Sequence, residues 1–304
     1  MPNVWTHILF CEEVADSVSQ RLLSSQNEAY LKLGAQGPDP FFYYNFWPWI
    51  KEEPVHDIGT TLHTENCGGF LMDLIMAAKD KNVTIKSFVA GFITHHILDR
   101  NTHPFIHYHA GYEGSKHQKL EITIDTIMME RLHHIKTWKS QVFKEIDVGP
   151  ELNPEITDLL YDLIHKHYPN LIQDNKNFIY KSYKDMHLAL RILYDPYGWK
   201  NVLFNSFISS YSHQPIKDDV DYLNEKHHTW FHSATKEPST KSFIDLYNQS
   251  LIEAIEILTE VNRYWKSGNE HAKFKASRLI GNISYDTGLP IENNTVNKYS
   301  KPVI

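Results

Sequence analysis

Residues 94–111 read THHILDRNTHPFIHYHAG, five histidines and an aspartate within eighteen residues. Imidazole and carboxylate are the side chains that hold zinc and harder divalent cations through nitrogen and oxygen. At ~100° per residue, a helix would carry Phe88, Phe92, His95, Asp99 and His103 within an arc of about 80°. The apolar start of that stripe points inward, so its polar end must do the same. A buried carboxylate flanked by histidines is costly unless something compensates its charge, and a divalent cation would. Pro104 disfavours helical backbone at His103, so the helix is expected to end there. His107 and His109 then fall on a loop, with His107 a reserve ligand. His96 points aside.

A second stripe follows the same plan. His117 and Glu121 share a helical face with Ile124, Met128 and Ile135, and Asp125 lies at its edge. Near the start of the chain, His7 lines up with Phe10, Val14 and Val18. Two further candidates fall on loops: Asp39, within Gly-Pro-Asp-Pro, and His63, ahead of a helix expected at 65–80. Asp57 and Glu65 are weaker neighbours. Taken singly, His7 or His63 reads as a hydrogen-bonded core histidine, Asp39 as a turn-former, and His117 with Glu121 as a solvated pair. Taken together, His7, Asp39, His63, His95, Asp99, His103, His117 and Glu121 exceed what one ion requires and fit two or three. The set contains no thiolate, which suits a hydrolytic site better than a structural one. His133, His134, His165, His167, His227, His228 and His232 have no inward carboxylate at helical spacing. Phosphate-cradling glycine loops, nucleophile elbows and paired CxxC motifs are absent from the sequence.

The elements that must position these groups are helical. Helices are expected at 4–24, 26–34, 65–80, 84–103, 115–140, 151–167, 174–193, 197–212 and 239–266, with a weaker one at 270–278. Residues 34–49, GAQGPDPFFYYNFWPW, are too rich in glycine and proline for a long helix and too aromatic for a solvated linker, so they read as a packed loop that also walls the site. Residues 213–238 read as a long polar loop and 285–304 as an irregular tail. Residues 1–150 form the metal-binding helical core, and 151–304 a helical extension packed on it. The expected class is all-α.

Composition bounds the partners. Net charge is −7 and pI about 6.2, which argues against a nucleic-acid backbone. No apolar run reaches the ~20 residues of a membrane span. The opening MPNVWTHILFCEEVADSVSQ lacks the basic and apolar regions of a secretory leader, so the expected location is cytoplasmic. Cys11 and Cys67 read as small buried hydrophobes.

In order along the chain, THILF (6–10), GAQGPDPFF (34–42), TTLHTEN (60–66), HHILDRNTHPF (95–105) and HQKLEITID (117–125) resemble the zinc-dependent phospholipase C family. The resemblance covers roughly the first 125 residues and points to a cytoplasmic, uncharacterised branch. It implies a multi-helix phospholipase C/nuclease-like bundle around a zinc cluster. By position, Asp39, His63, His95 and Asp99 would hold one zinc; His117 and a bridging Glu121 a second, completed by His103 or else His107; and His7 would contribute to a third.

The expected function is therefore hydrolysis of a phosphodiester, with metal-activated water as nucleophile and Asp39 assisting proton transfer. The substrate would be a lipid or small-molecule phosphoester. One rival is an HD-type metal-dependent phosphohydrolase built on the adjacent His56 and Asp57. The other is a non-catalytic metal- or ligand-binding protein.

Overall fold

The computed structural model describes residues 3–18, 27–47, 49–50, 54–171, 175–204 and 208–304. Its helices are α1 (Val4–Val18), α2 (Glu28–Gly34), α3 (Pro54–Thr64), α4 (Cys67–Ala78), α5 (Val83–Ala110), α6 (Lys116–His133), α7 (Pro154–His167), α8 (Asn177–Leu193), α9 (Trp199–Leu203), α10 (Phe243–Ser267) and α11 (Glu270–Ile280). A short 3₁₀ turn spans Asp39–Tyr43. Among the described residues the only paired strands are Trp230–Phe231 and Pro238–Ser239, antiparallel and two residues each. The class is all-α, as the sequence indicates. No described helix is long and apolar enough to cross a membrane.

The axis of the molecule is α5. It begins at Asn82, whose side chain accepts the Ile85 N–H at 3.1 Å, and closes on Gly111 at φ +74°. These are an N-cap and a left-handed C-terminal glycine. Phe88, Val89, Phe92, Ile93, Ile97, Leu98, Phe105 and Ile106 are buried on every side of it, which makes it a core helix rather than an amphipathic one. Helices α1, α2, α4, α6 and α10 pack around it. The approach of α2 is a backbone contact: a Cβ on Gly34 would strike the Phe88 carbonyl, and one on Gly91 the Leu31 carbonyl. Helix α3 and helix α8 both hold the 3₁₀ turn that carries Asp39.

Helix α1 is fixed at its start by a carboxylate from α6. Asp125 accepts the backbone N–H of Trp5 and of Thr6, each at 3.0 Å, and the Thr6 hydroxyl at 2.5 Å. A negative group facing the first free N–H groups also complements the helix dipole. Burial pushes this carboxyl up to about 7, against the three donors that pull it down. The contact sets the rotation and height of α1, and with them the direction of His7.

Several expectations are corrected. Pro104 does not end α5, which runs on to Ala110. Proline cannot donate to the carbonyl of residue 100, and that carbonyl instead faces the backbone of Gly288, so closely that a Cβ there would collide with it. His107 and His109 are therefore helical. Residues 54–64 form α3, which carries Val55, Ile58 and Leu62 inward, so His63 sits in a last helical turn and not on a loop. The helix expected at 197–212 is helical over Trp199–Leu203, and 205–207 lie outside the described residues. The one expected at 4–24 is helical over Val4–Val18, and 19–26 lie outside the described residues. The loop at 34–49 contains the 3₁₀ turn, and Pro48 lies outside the described residues. The tail, though irregular, is packed against α3 and along α5: the Tyr285 N–H reaches the His63 carbonyl of α3 at 3.0 Å, and in α5 the Lys301 N–H reaches that of Tyr108 at 2.7 Å and the Val303 N–H that of His109 at 2.8 Å.

Two stability measurements test these contacts. Replacing Asp125 by alanine leaves two buried backbone donors unpaired and should cost about 2–4 kcal/mol in chemical denaturation. Gly288→Ala combines a left-handed φ of +66° with the collision against Arg100 and should cost a similar ~2–4 kcal/mol. A change below about 0.5 kcal/mol in either would show that the contact does not hold its element.

Candidate metal centre

Helix α5 acts as the ruler of the site. His95, Asp99, His103 and His107 follow one another at four-residue spacing along one stripe. Around them, α1 contributes His7, the 3₁₀ turn Asp39, α3 His63, and α6 both His117 and Glu121. All eight residues singled out in the sequence thus come together in one cluster.

The donor distances are short and mixed. His95 Nε2 lies 3.0 Å from Asp99 Oδ2 and 3.6 Å from Asp39 Oδ1. His63 Nε2 lies 3.4 Å from Asp39 Oδ1 and 3.8 Å from Asp99 Oδ2. On the other side of the same carboxylate, Asp99 Oδ1 is 3.3 Å from His7 Nε2 and 3.9 Å from His103 Nε2. Farther along, His117 Nε2 meets Glu121 Oε1 at 2.5 Å. Asp99 therefore faces two histidine sets, one with each oxygen, whereas Glu121 groups with His103 and His117 alone.

The rings are held from behind. The Nδ1–H of His95 donates to the Ala35 carbonyl at 2.9 Å, and that of His63 to the Gly59 carbonyl at 2.7 Å. A carbonyl partner fixes the proton on Nδ1 and leaves Nε2 with its lone pair toward the cluster. Gly37, at φ +51°, explains the glycine before Pro38-Asp39: a Cβ there would enter the His95 ring. The loop can pass over that ring and deliver Asp39 because the position is bare. His7 stacks on His95 with centroids 4.2 Å apart.

Charge follows position. Burial pushes His7, His103 and His117 below the ordinary imidazole value, which leaves them neutral and able to ligate. His95 moves up against its burial because Asp99 and Asp39 face it. Asp99, which burial alone would push up, is held well below the usual carboxylate range, foremost by His95.

This donor set fits a divalent cation. Both ring nitrogens of His7 and of His103, Nε2 of His95 and both oxygens of Asp99 are buried without a hydrogen bond among the described residues. So many orphaned polar atoms in one place are rare in a folded core. Donors about 2.1 Å from a tetrahedral zinc lie roughly 3.4 Å apart, the spacing seen around Asp99 and Asp39. Three groups that could hold an ion are His7, His95 and Asp99; Asp39, His63 and His95; and His103, His117 and Glu121. Among the described residues the cluster meets solvent at its edges. Asp99 and His95 have no exposed surface, while the side chains of Asp39 and His117 are 12% and 21% exposed. Water and a small anionic group can reach that rim.

Other candidates lie elsewhere. The ring of His56 turns to the Tyr44 carbonyl at 2.8 Å, and Asp57 is exposed. The pair required by the HD-type alternative belongs to none of the metal-capable groups. His167 does meet a carboxylate, Asp73 at 2.6 Å, but across helices rather than at helical spacing. Cys11 and Cys67 are free, buried thiols, both pushed up by burial. One participant went unrecognised in the sequence: Asp286, whose Oδ1 accepts from His107 Nε2 at 2.5 Å. It stands 179 residues away from His107, and no periodicity can announce such a contact.

A known family, described as zinc-dependent phospholipase C, matches residues 6–170. That stretch holds every residue from His7 to Glu121 but not Asp286. No curated protein and no solved structure matches the chain. The match spans more than half of the 304 residues and carries the whole helical histidine–carboxylate cluster just described, so the chain belongs to the zinc-dependent phospholipase C family.

Proposed function

We propose that the protein hydrolyses phosphodiester bonds, with a phospholipid head group as substrate. The observation that carries this reading is the buried Asp99 shared by two histidine sets, in a cluster open to solvent at Asp39 and His117. In this reading Asp39, His63, His95 and Asp99 hold one zinc, His117 and Glu121 belong to a second, and His7 with Asp99 to a third. Bound cations at such a centre activate water and neutralise phosphate oxygens.

The chain's own groups then have defined tasks. Asp39 turns Oδ1 to His63 and His95, so its other oxygen, Oδ2, takes a proton from the attacking water and returns it to the leaving oxygen. The carbonyls of Ala35 and Gly59 keep the Nε2 atoms of His95 and His63 directed at the cluster. Burial of Asp99 and His95 excludes water from the floor and strengthens charge interactions there.

A group of exposed apolar side chains supports an amphiphilic substrate over a free nucleotide. Tyr197, Trp199, Val202, Leu203 and Phe204 are all at least half exposed, the aromatic-rich composition of a lipid-facing surface.

Purified protein should hydrolyse a chromogenic phosphodiester and phosphatidylcholine in vesicles, lose both activities to a chelator, and regain them with Zn²⁺. Turnover that ignores the chelator, or zinc binding with no turnover on either substrate, would overturn the reading. Outer-sphere changes at metal centres already cost ~10–100-fold, so Glu121→Gln should lower kcat by more than about 100-fold. Asp99→Asn should remove bound zinc, measured by elemental analysis, because it weakens both histidine sets at once. His56→Ala should leave activity within about twofold, a surface-type substitution.

A further inference from the structure

The tail brings a carboxylate to the cluster at a point that the family match does not cover. Asp286 Oδ1 lies 2.5 Å from His107 Nε2 and 4.0 Å from His103 Nδ1. The three residues form a fourth group with donor atoms within 4.8 Å of one another. Asp286 is aimed, since its Oδ2 accepts from Asn297 Nδ2 at 2.8 Å and Oδ1 is left facing the histidines. Asn297 is steadied in turn by the Ser233 hydroxyl at 2.6 Å.

A plain ion pair between His107 and Asp286 accounts for only part of this. Both ring nitrogens of His103 and Nδ1 of His107 are buried with no hydrogen bond among the described residues. The His103 ring presents one nitrogen to Asp99 and the other to Asp286. The rings of His103, His107 and His117 crowd together, with centroids 4.7 to 5.8 Å apart. A cation held by the imidazoles and one carboxylate satisfies the same atoms. The side chain of Asp286 is 34% exposed, which gives an ion a way in.

We propose that His103, His107 and Asp286 form a further divalent-cation position, distinct from the one at His117 and Glu121, that fastens the C-terminal strap to α5. Two nitrogens and one oxygen, without thiolate, select zinc or a similar borderline ion. The strap spans 282–304, and its existing ties to α5 are hydrogen bonds at His96, Tyr108 and His109. An ion at Asp286 adds a bond to the middle of that seam. The inference concerns ion binding and does not depend on the phosphodiester reading.

The test is zinc stoichiometry of the full chain after loading with Zn²⁺ and removal of excess, in wild type, Asp286→Asn, Glu121→Gln and the double variant. Each single change should lose about one ion per chain and the double change about two. A wild-type count in Asp286→Asn would overturn the proposal. So would a double variant that loses no more than Glu121→Gln alone, because both residues would then serve one centre. Circular dichroism of the metal-free proteins checks folding, and His107→Gln repeats the test should Asp286→Asn misfold. A variant-free readout is amide hydrogen exchange: zinc should slow exchange across 282–304 in wild type, and unchanged exchange there would also overturn it. Hydrolysis is scored separately, so an inactive protein with the full zinc count refutes the hydrolase reading and leaves this one standing.

Discussion

Asp99 is a carboxylate with no exposed surface and no hydrogen bond to either oxygen among the described residues. A lone ionised carboxylate in a medium of low dielectric is among the costliest things a fold can contain. Two escapes exist, protonation or a nearby positive charge. Protonation would give the group one donor, but the atoms around it are imidazole nitrogens on both sides, His95 and His63 at one oxygen and His7 and His103 at the other. A single proton cannot serve both sets. Cations between carboxylate and imidazoles can, and this explains why the orphaned atoms are grouped and not scattered.

That constraint accounts for the architecture around α5. A charged floor must be walled off from water, so the helix that bears it is buried on every side around Asp99. Helices α1, α2, α4, α6, α7 and α10 pack on it, and α2 does so with glycines at the contact. The remaining ligands come from separate elements, each oriented by a bond that has no role in chemistry: Asp125 for α1, the Ala35 and Gly59 carbonyls for two imidazoles. Side chains held this way lose little freedom when an ion arrives, which is the condition for a precise coordination geometry.

Much of this was legible in the sequence because helices translate spacing into direction. His95, Asp99 and His103 share a stripe with Phe88 and Phe92, so the inward direction of the first follows from the second. The same reasoning reaches His117 with Glu121 and His7. It fails where direction depends on partners far along the chain. Pro104 reads locally as a helix end, yet α5 continues to Ala110, and the bare backbone of Gly288 leaves room beside the Arg100 carbonyl. His63 looked like a loop residue because α3 is short, although Val55, Ile58 and Leu62 do repeat at helical spacing. Asp286 lies in SYDTG, an ordinary turn-forming stretch, and only the path of the tail gives it a role.

The way the ligands are distributed bears on how the site comes into being. His7 comes from the first helix, Asp39 and His63 from the next elements, and Asp286 from the strap that crosses α5 near the end of the chain. Helix α5 with its neighbour α6 can assemble from local contacts, and this brings His95, Asp99, His103, His117 and Glu121 into proximity. The full cluster requires closure of longer loops, 92 residues between His7 and Asp99 and 179 between His107 and Asp286, the slow and entropically costly class of contact. Before closure, Asp99 is still partly hydrated and the missing charge is cheap to tolerate. After closure it is not, and binding free energy of the ion becomes stabilisation of the closed form. Under the proposed metal centre, loading and completion of the fold are linked: the burial that would make Asp99 a strong ligand would also make the metal-free closed state the costlier one.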